Sequence, residues 1–384
     1  MTHNKPAQAI QMVDLKSQYL HLKEPIDTAI QQVLDHTGFI KGKEVTAFSS
    51  ALANYTGVSY VIPCANGTDA LQIALMALGL QAGDEVITPS FTYFATAEVI
   101  ALLGLKPVFV DVDPHTFNID VSQIAQAITP KTKAIIPVHL FGQSADMEAI
   151  LDLADQHGIA VIEDNAQALG GTYTFSDGST WKTGSMGTIS CTSFFPSKNL
   201  GCYGDGGAIC TKDEALYERI KMIANHGQKE KYHHEIIGCN SRLDTIQAAI
   251  LNVKLPYLDQ YCAARIAVAT QYNQAFAGNE KIKTPFITAH NKHVFHQYTL
   301  QLHASIDRTK LKAALLEAGI PSMVYYPIPC HLQKAMSAFT DPRWVLPHTE
   351  QLAQSVLSLP IHTEMSTEMV AYIAEKVIAL TARS

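Results

Sequence analysis

Through the first two-thirds of the chain, short continuous apolar runs alternate with longer stretches in which apolar residues recur at helical spacing. The runs YVIPC (60–64), EVITP (85–89), PVFVDV (107–112), KAIIPVHL (133–140) and IAVIED (159–164) read as buried strands. Between them Leu71, Ala74, Leu75 and Leu78 predict a helix over about 68–80, and AEVIALLG (97–104), a stretch near 121–128 and another over roughly 144–157 predict three more. Continuous strands separated by helices predict a mainly parallel sheet covered on both faces, that is, an α/β fold. Ligands of such sheets bind beyond the carboxyl ends of the strands. Residues 66–69, 91–94 and 163–167 fall there.

After about residue 255 the pattern changes. A helical stretch with scattered aromatics runs to about 277, HQYTLQL (296–302) reads as a strand, and DRTKLKAALLEAG (307–319) as a helix. A proline- and aromatic-rich turn region, PSMVYYPIPCHLQ (321–333), follows, and a last helix begins near Thr367. These predict a large domain over 1–255 and a smaller C-terminal α+β domain over 256–384.

Composition narrows the class. Apolar residues make up 47% and charged residues 16%, enough for a sizeable core. A net charge of −7 gives no footprint for nucleic acid, so an anionic substrate needs a local cationic pocket. The seven cysteines are odd in number and form no CxxC pair, which indicates neither a disulfide framework nor a metal site. They read as buried free thiols of a reducing compartment. The N-terminal MTHNKPAQAI has no signal-peptide core and no apolar run reaches membrane-spanning length, so a soluble cytoplasmic protein without membrane contact is expected.

Four segments carry candidate chemistry. In TSFFPSKNLGCYGDGGAI (192–209), Lys198 sits in a turn between two apolar, strand-like runs. A nucleophilic lysine must be neutral and therefore partly desolvated, and a loop between buried strands provides that. In CANGTDAL (64–71), a glycine and a threonine at a helix start offer backbone N–H groups and a hydroxyl to an anion. Asp69 would repel a phosphate and is assigned to capping or to an outward-facing role. In PSFTYFATAE (89–98), three aromatics follow a strand end; packing accounts for two of them, leaving one to stack on a planar ring. In VIEDNAQALG (161–170), a carboxylate at the end of a buried strand can pair with a protonated ring nitrogen, with Gln167 on the same side. Together these supply a phosphate cradle, a ring stacker, an anion and an imine-forming lysine. That inventory suits pyridoxal 5′-phosphate.

In these motifs the chain closely resembles the DegT/DnrJ/EryC1/StrS family of sugar aminotransferases, which have the type I, aspartate-aminotransferase-like fold. The resemblance runs from GFIKGKEV (38–45) through ANGTDAL, GDEVITPSFTYFAT, EDNAQA, FFPSKNLGCYGDGGA and HGQKEKYHHEIIGCNSRLDTIQAAIL to GIPSMVYYPIPCHLQ. It implies that 1–255 is the cofactor-binding domain with an N-terminal helical arm. It also implies that Lys198 is the Schiff-base lysine and proton shuttle, and that Asp164 pairs with the pyridinium nitrogen. Gln167 would contact the ring hydroxyl, Tyr93 would stack on the ring, and Gly67, Thr68 and Ser193 would bind the phosphate. Asn240 would reach across the interface of a homodimer with shared active sites. Arg242 would be aimed at an anionic substrate group, the competing reading being a helix-start salt bridge with Asp244.

The Gly-Cys-Tyr-Gly-Asp loop and the Asn-Ser-Arg-Leu-Asp segment are most similar to UDP-2-acetamido-2-deoxy-3-oxo-D-glucuronate aminotransferases of lipopolysaccharide O-antigen biosynthesis, with L-glutamate as donor and 2-oxoglutarate as its product. Tyr325 and Tyr326 stand where related sequences usually carry His-Tyr, and both are placed against the sugar. Asn165 stands where alanine is common. His331 is a further substrate-facing candidate, set against a solvated turn histidine. The alternative within the same chemistry is a dTDP-linked 3-oxo- or 4-oxo-6-deoxyhexose aminotransferase. A PLP-dependent dehydratase is opposed by the presence of Lys198, and a non-catalytic regulatory protein by the complete cofactor inventory.

Overall fold

The computed structural model of the protein describes residues 6–341 and 344–382. The stretch read for a leader begins on residues 1–5, and the C-terminal domain assigned from sequence ends on 383–384; both lie outside the described residues. The strands to the end of the central sheet are β1 (Tyr60–Cys64), β2 (Glu85–Pro89), β3 (Lys106–Val110), β4 (Thr132–Ile135), β5 (Ala160–Asp164), β6 (Thr172–Thr174), β7 (Thr180–Lys182), β8 (Ile189–Ser193) and β9 (Gly207–Thr211). Seven of them form one sheet in the order β1-β9-β8-β5-β4-β2-β3. All neighbouring pairs are parallel except those made by β9, which runs against both β1 and β8. The mainly parallel sheet expected from the apolar runs is therefore present.

Alternate residues of each strand enter different cores, as strands covered on two faces require. Val86, Ala134 and Ile162 pack with Leu71 and Ile73 of the helix Gly67–Ala77, whereas Ile87, Ile135 and Val161 pack with Ile150 and Ala154 of the helix Met147–His157. A third cluster joins Val61, Ala208 and Cys210 to Phe48 and Leu52 of the helix Lys43–Thr56 and to Leu251 of the helix Thr245–Lys254.

KAIIPVHL makes a shorter strand than its apolar run predicts, because Pro137 has no N–H for the ladder. The chain nevertheless stays beside β5: Asp164 N–H donates to the Pro137 carbonyl and His139 N–H to the Asp164 carbonyl. The hairpin β6–β7, joined by Asn291–Lys292, has no counterpart in the sequence reading; its strands are too short for a period to show.

Toward the C-terminus, Tyr298–Leu302 pairs with Ile282–Lys283 and Val356–Leu359. A separate core there gathers Tyr272, Leu300, Leu315, Leu357 and Ile373, and Ile10 from the N-terminal segment packs into it. The seven cysteines are free thiols, six buried and Cys239 half-buried. Among the described residues no helix is long and apolar enough to cross a membrane.

Candidate active site

The carboxyl end of β5 places Asp164 beside Cys191 of β8. Asp164 is 5% exposed. Its Oδ2 accepts a 2.8 Å hydrogen bond from the Thr96 hydroxyl and its Oδ1 one of 3.2 Å from Ala166 N–H. Burial pushes its pKa above the ordinary carboxylate value; Thr96, Ala166 and the positive charge of Lys198 oppose that rise without cancelling it. Lys198 stands in the connection between β8 and β9, where its N–H closes a turn on the Phe195 carbonyl at 2.8 Å. Burial of its amine lowers its pKa to about 8, and the attraction of Asp164 offsets part of the drop. Each group thus perturbs the other with the sign expected of a desolvated acid and base in one cleft.

The helix Gly67–Ala77 begins against the same strand ends. Asn66 caps it, its side-chain oxygen accepting the Asp69 N–H at 2.8 Å. The cap assigned to Asp69 is therefore Asn66, and Asp69 sits in the first turn, where a carboxylate suits the helix dipole. A Cβ at Gly67 would lie 2.8 Å from the Ser193 Cβ, so only glycine lets the helix start approach β8 this closely. The Ser193 oxygen accepts the Phe195 N–H at 3.2 Å, which leaves its own proton to donate. Thr68 follows in the first turn. Backbone N–H groups at a helix start and two hydroxyls fit a phosphate.

Of the three aromatics after β2, Phe91 is fully buried and Phe94 packs against the Phe109–Trp344 cluster, whereas Tyr93 is 61% exposed. The Tyr326 ring lies 6.3 Å from Tyr93, 6.1 Å from Phe91 and 6.4 Å from Phe141. Gln167 joins this wall: its oxygen accepts the Phe141 N–H at 2.8 Å and its amide donates to the Tyr326 hydroxyl at 3.1 Å. One amide N–H of Gln167 remains for a ligand. Tyr326 is thus held beside Gln167 rather than in a solvated turn, and Tyr325 is half-buried next to it.

His331 is no solvated turn histidine. Its ring is buried, Nδ1 lies 2.7 Å from the Ser90 hydroxyl, and Nε2 lies 3.4 Å from Glu350. Both ring nitrogens are engaged in the wall behind the strand ends. Asn165 is also buried, where its amide donates to the Thr183 carbonyl at 3.0 Å.

Asn240 and Arg242 precede the helix Thr245–Lys254 on an extended segment. Asn240 is exposed and bridged to Asn225; Arg242 is half-exposed. Among the described residues neither makes a hydrogen bond or ion pair with Asp164 or Lys198, and no ion pair joins Arg242 to Asp244.

Two residues beside Asp164, Thr96 and His139, escaped the sequence reading, and Glu163, placed at a strand end, was given no role in it. Glu163 is fully buried and accepts from His139 Nε2 at 2.8 Å and from the N–H groups of Gly184, Met186 and Gly187 at 2.7, 2.7 and 2.6 Å. Burial pushes its pKa up, but His139 and the backbone donors outweigh it and hold the carboxyl below its ordinary value. A carboxylate inside the apolar run IAVIED was the available signal, since a buried charge demands partners. Thr96 carried none.

The profile of the DegT/DnrJ/EryC1/StrS aminotransferase family matches residues 21–378. Over 95% of this chain and 98% of the relative, the sequence is 49% identical to the UDP-2-acetamido-2-deoxy-3-oxo-D-glucuronate aminotransferase of Pseudomonas aeruginosa. It is 45% identical to the UDP-N-acetyl-3-dehydro-alpha-D-glucosamine 3-aminotransferase of Acidithiobacillus ferrooxidans, over 97% and 98% of the two chains. The crystal structure of NtdA from Bacillus subtilis with bound pyridoxamine phosphate superposes with a TM-score of 0.89 at 32% identity, covering 99% of this chain and 87% of that one.

Proposed function

The chain belongs to the DegT/DnrJ/EryC1/StrS aminotransferase family, and on that footing we propose that it moves an amino group from L-glutamate to the C3 keto carbon of UDP-2-acetamido-2-deoxy-3-oxo-D-glucuronate, in the making of an O-antigen sugar of lipopolysaccharide. It is a pyridoxal-phosphate-dependent aminotransferase of nucleotide sugars. The observation that carries the choice of sugar is Arg242, a half-exposed guanidinium without an ion pair to Asp244 among the described residues. The carboxylate of a uronate would give it a planar, bidentate partner.

In this reading Gly67, Thr68 and Ser193 hold the cofactor phosphate, with Asn240 of a second copy completing the cradle. Asp164 faces the ring nitrogen and keeps it protonated, Gln167 offers its remaining N–H to the ring hydroxyl, and Tyr93 covers one face. Bound there, pyridoxal phosphate supplies an electron sink for the carbon that gains or loses the amine. Lys198 Nζ, neutral in an appreciable fraction because burial lowers its pKa, takes the proton from the α-carbon of glutamate and returns one to C3 of the sugar. Tyr325 and Tyr326 line the sugar side, and His331 supports that wall from behind through Ser90. The assembly proposed is a cytoplasmic homodimer; the exposed Tyr232 and Ile237, in the stretch of chain leading to Asn240, supply apolar surface for it.

Single-turnover measurements test the substrate. The protein is brought to its pyridoxamine form and given UDP-3-oxo-N-acetylglucosaminuronate, the corresponding UDP-3-oxo-N-acetylglucosamine, or a dTDP-oxo-6-deoxyhexose. Return of the visible cofactor band fastest with the uronate is expected. In Arg242→Met that rate should fall about a hundredfold, the worth of two charge-assisted hydrogen bonds, with the glutamate half-reaction unchanged. Equal rates with the two UDP sugars would remove the uronate. Return with the deoxyhexose alone would leave the aminotransferase and discard the UDP sugar.

A further inference from the structure

Lys254 ends the helix Thr245–Lys254 and is 1% exposed. Among the described residues no carboxylate pairs with it; its Nζ donates to the Gly201 carbonyl and lies 5.3 Å from the centre of the Tyr203 ring. An ammonium buried without a counter-ion is costly, and an apolar side chain of similar length would fill the same space at less cost. What the amine adds is a grip on one carbonyl.

That carbonyl belongs to the loop bearing Lys198. The loop is closed on itself: Phe194 N–H donates to the Gly206 carbonyl at 2.7 Å, Cys202 N–H to Phe194 at 2.8 Å and Lys198 N–H to Phe195 at 2.8 Å. A Cβ on Gly201 would come within 2.3 Å of the Pro196 carbonyl, so Gly201 is pressed directly on the turn that presents the lysine. Two helical turns before Lys254 and on the same helix face, Gln247 accepts the Tyr203 N–H at 2.8 Å. One helix face therefore holds the outgoing arm of the loop at two points.

We propose that Lys254 is a positioning residue for Lys198, fixing the loop through the Gly201 carbonyl so that the Lys198 amine meets the cofactor aldehyde in a reactive orientation. The proposal rests on the role given to Lys198 above. Lys198→Ala separates the two: if that variant still captured the cofactor covalently, the role of Lys198 itself would fail.

The test strips the holoenzyme of cofactor and follows the visible band as pyridoxal phosphate is captured. Affinity for pyridoxamine phosphate, which forms no bond to lysine, reports on the rest of the site. In Lys254→Met capture should slow by about tenfold or more, the scale of a sub-ångström misplacement, while pyridoxamine phosphate affinity stays within about threefold. Lys254→Gln, whose shorter amide keeps a donor, should fall between Met and the parent. Wild-type capture rates in both variants would overturn the proposal. So would a parallel loss of pyridoxamine phosphate affinity, which would mark a collapse of the whole site. If the methionine variant does not fold, the glutamine variant decides by the same two readings.

Discussion

At the scale of single residues, the site depends on what burial does to opposite charges. A lysine in water is neutral about once in three thousand molecules at pH 7, whereas one brought to about 8 is neutral in roughly a tenth. The drop comes from desolvation, and it suits Lys198 to the nucleophile and base proposed for it near neutrality. Because the neutral amine attacks, covalent capture of pyridoxal phosphate by the apoprotein should speed up about tenfold per pH unit below 8 and level off above it. Stopped-flow absorbance across pH 6–10 would show it; a rate still climbing at pH 10 would mean an ordinary lysine. Asp164 is shifted in the opposite sense by the same cause, and the Thr96 hydroxyl and the Ala166 N–H hold its carboxylate in place. The lysine was legible as a motif. Thr96 was not, because nothing in a sequence says which hydroxyl on a neighbouring helix turns toward a given carboxylate.

At the scale of elements, β5 is the keystone, and Glu163 ties it down. The Ala145 N–H donates to His139 Nδ1 at 3.1 Å, so the ring proton resides on Nε2 and points at Glu163. His139 in turn donates its backbone N–H to the Asp164 carbonyl at 3.1 Å. Glu163 thereby binds the 184–187 loop and the His139 segment to the strand end carrying Asp164. Glu163→Gln would turn an amide toward donors that need an acceptor, and unfolding free energy should fall by about 3 kcal/mol in equilibrium denaturation. The pKa of this carboxyl is depressed on folding, so its contribution is fully present above its ordinary value of 4.5 and lost as pH falls below it. A variant whose stability equals the parent at pH 7, or differs from it equally at pH 7 and pH 3, would contradict this account. The strands themselves were readable from continuous apolar runs, while β6, β7 and the early end of β4 were not. The first two are too short to display a period, and the third depends on a missing N–H rather than on hydrophobicity.

At the scale of the whole molecule, neither Asn240 nor Arg242 bonds to Asp164 or Lys198 of its own chain among the described residues, and the proposed dimer brings a second copy to complete each site. In that dimer Lys198→Ala and Arg242→Met would damage different copies' contributions to one site. Mixed by unfolding and reassembly, the two inactive variants should recover about a quarter of wild-type turnover, since half the dimers are hybrid and each hybrid holds one intact site. No recovery, with hybrids verified by mass, would place both residues in the same chain's site.

By itself the sequence determined the alternation of strands and helices through the parallel part of the sheet, the lysine loop, the carboxylate at a strand end and the glycine at a helix start. Each of these is a local signal, set by periodicity or by backbone conformation a few residues long. Tertiary structure alone decided that Asn66 rather than Asp69 caps the helix, that His331 is walled in by Ser90 and Glu350, and that Ile10 from the N-terminus packs into the C-terminal core. It also set the lysine and aspartate pKa values against each other and laid Lys254 under the loop. Those outcomes depend on which distant segments exclude water from one another, and desolvation is a property of the packed molecule that no single stretch of chain contains.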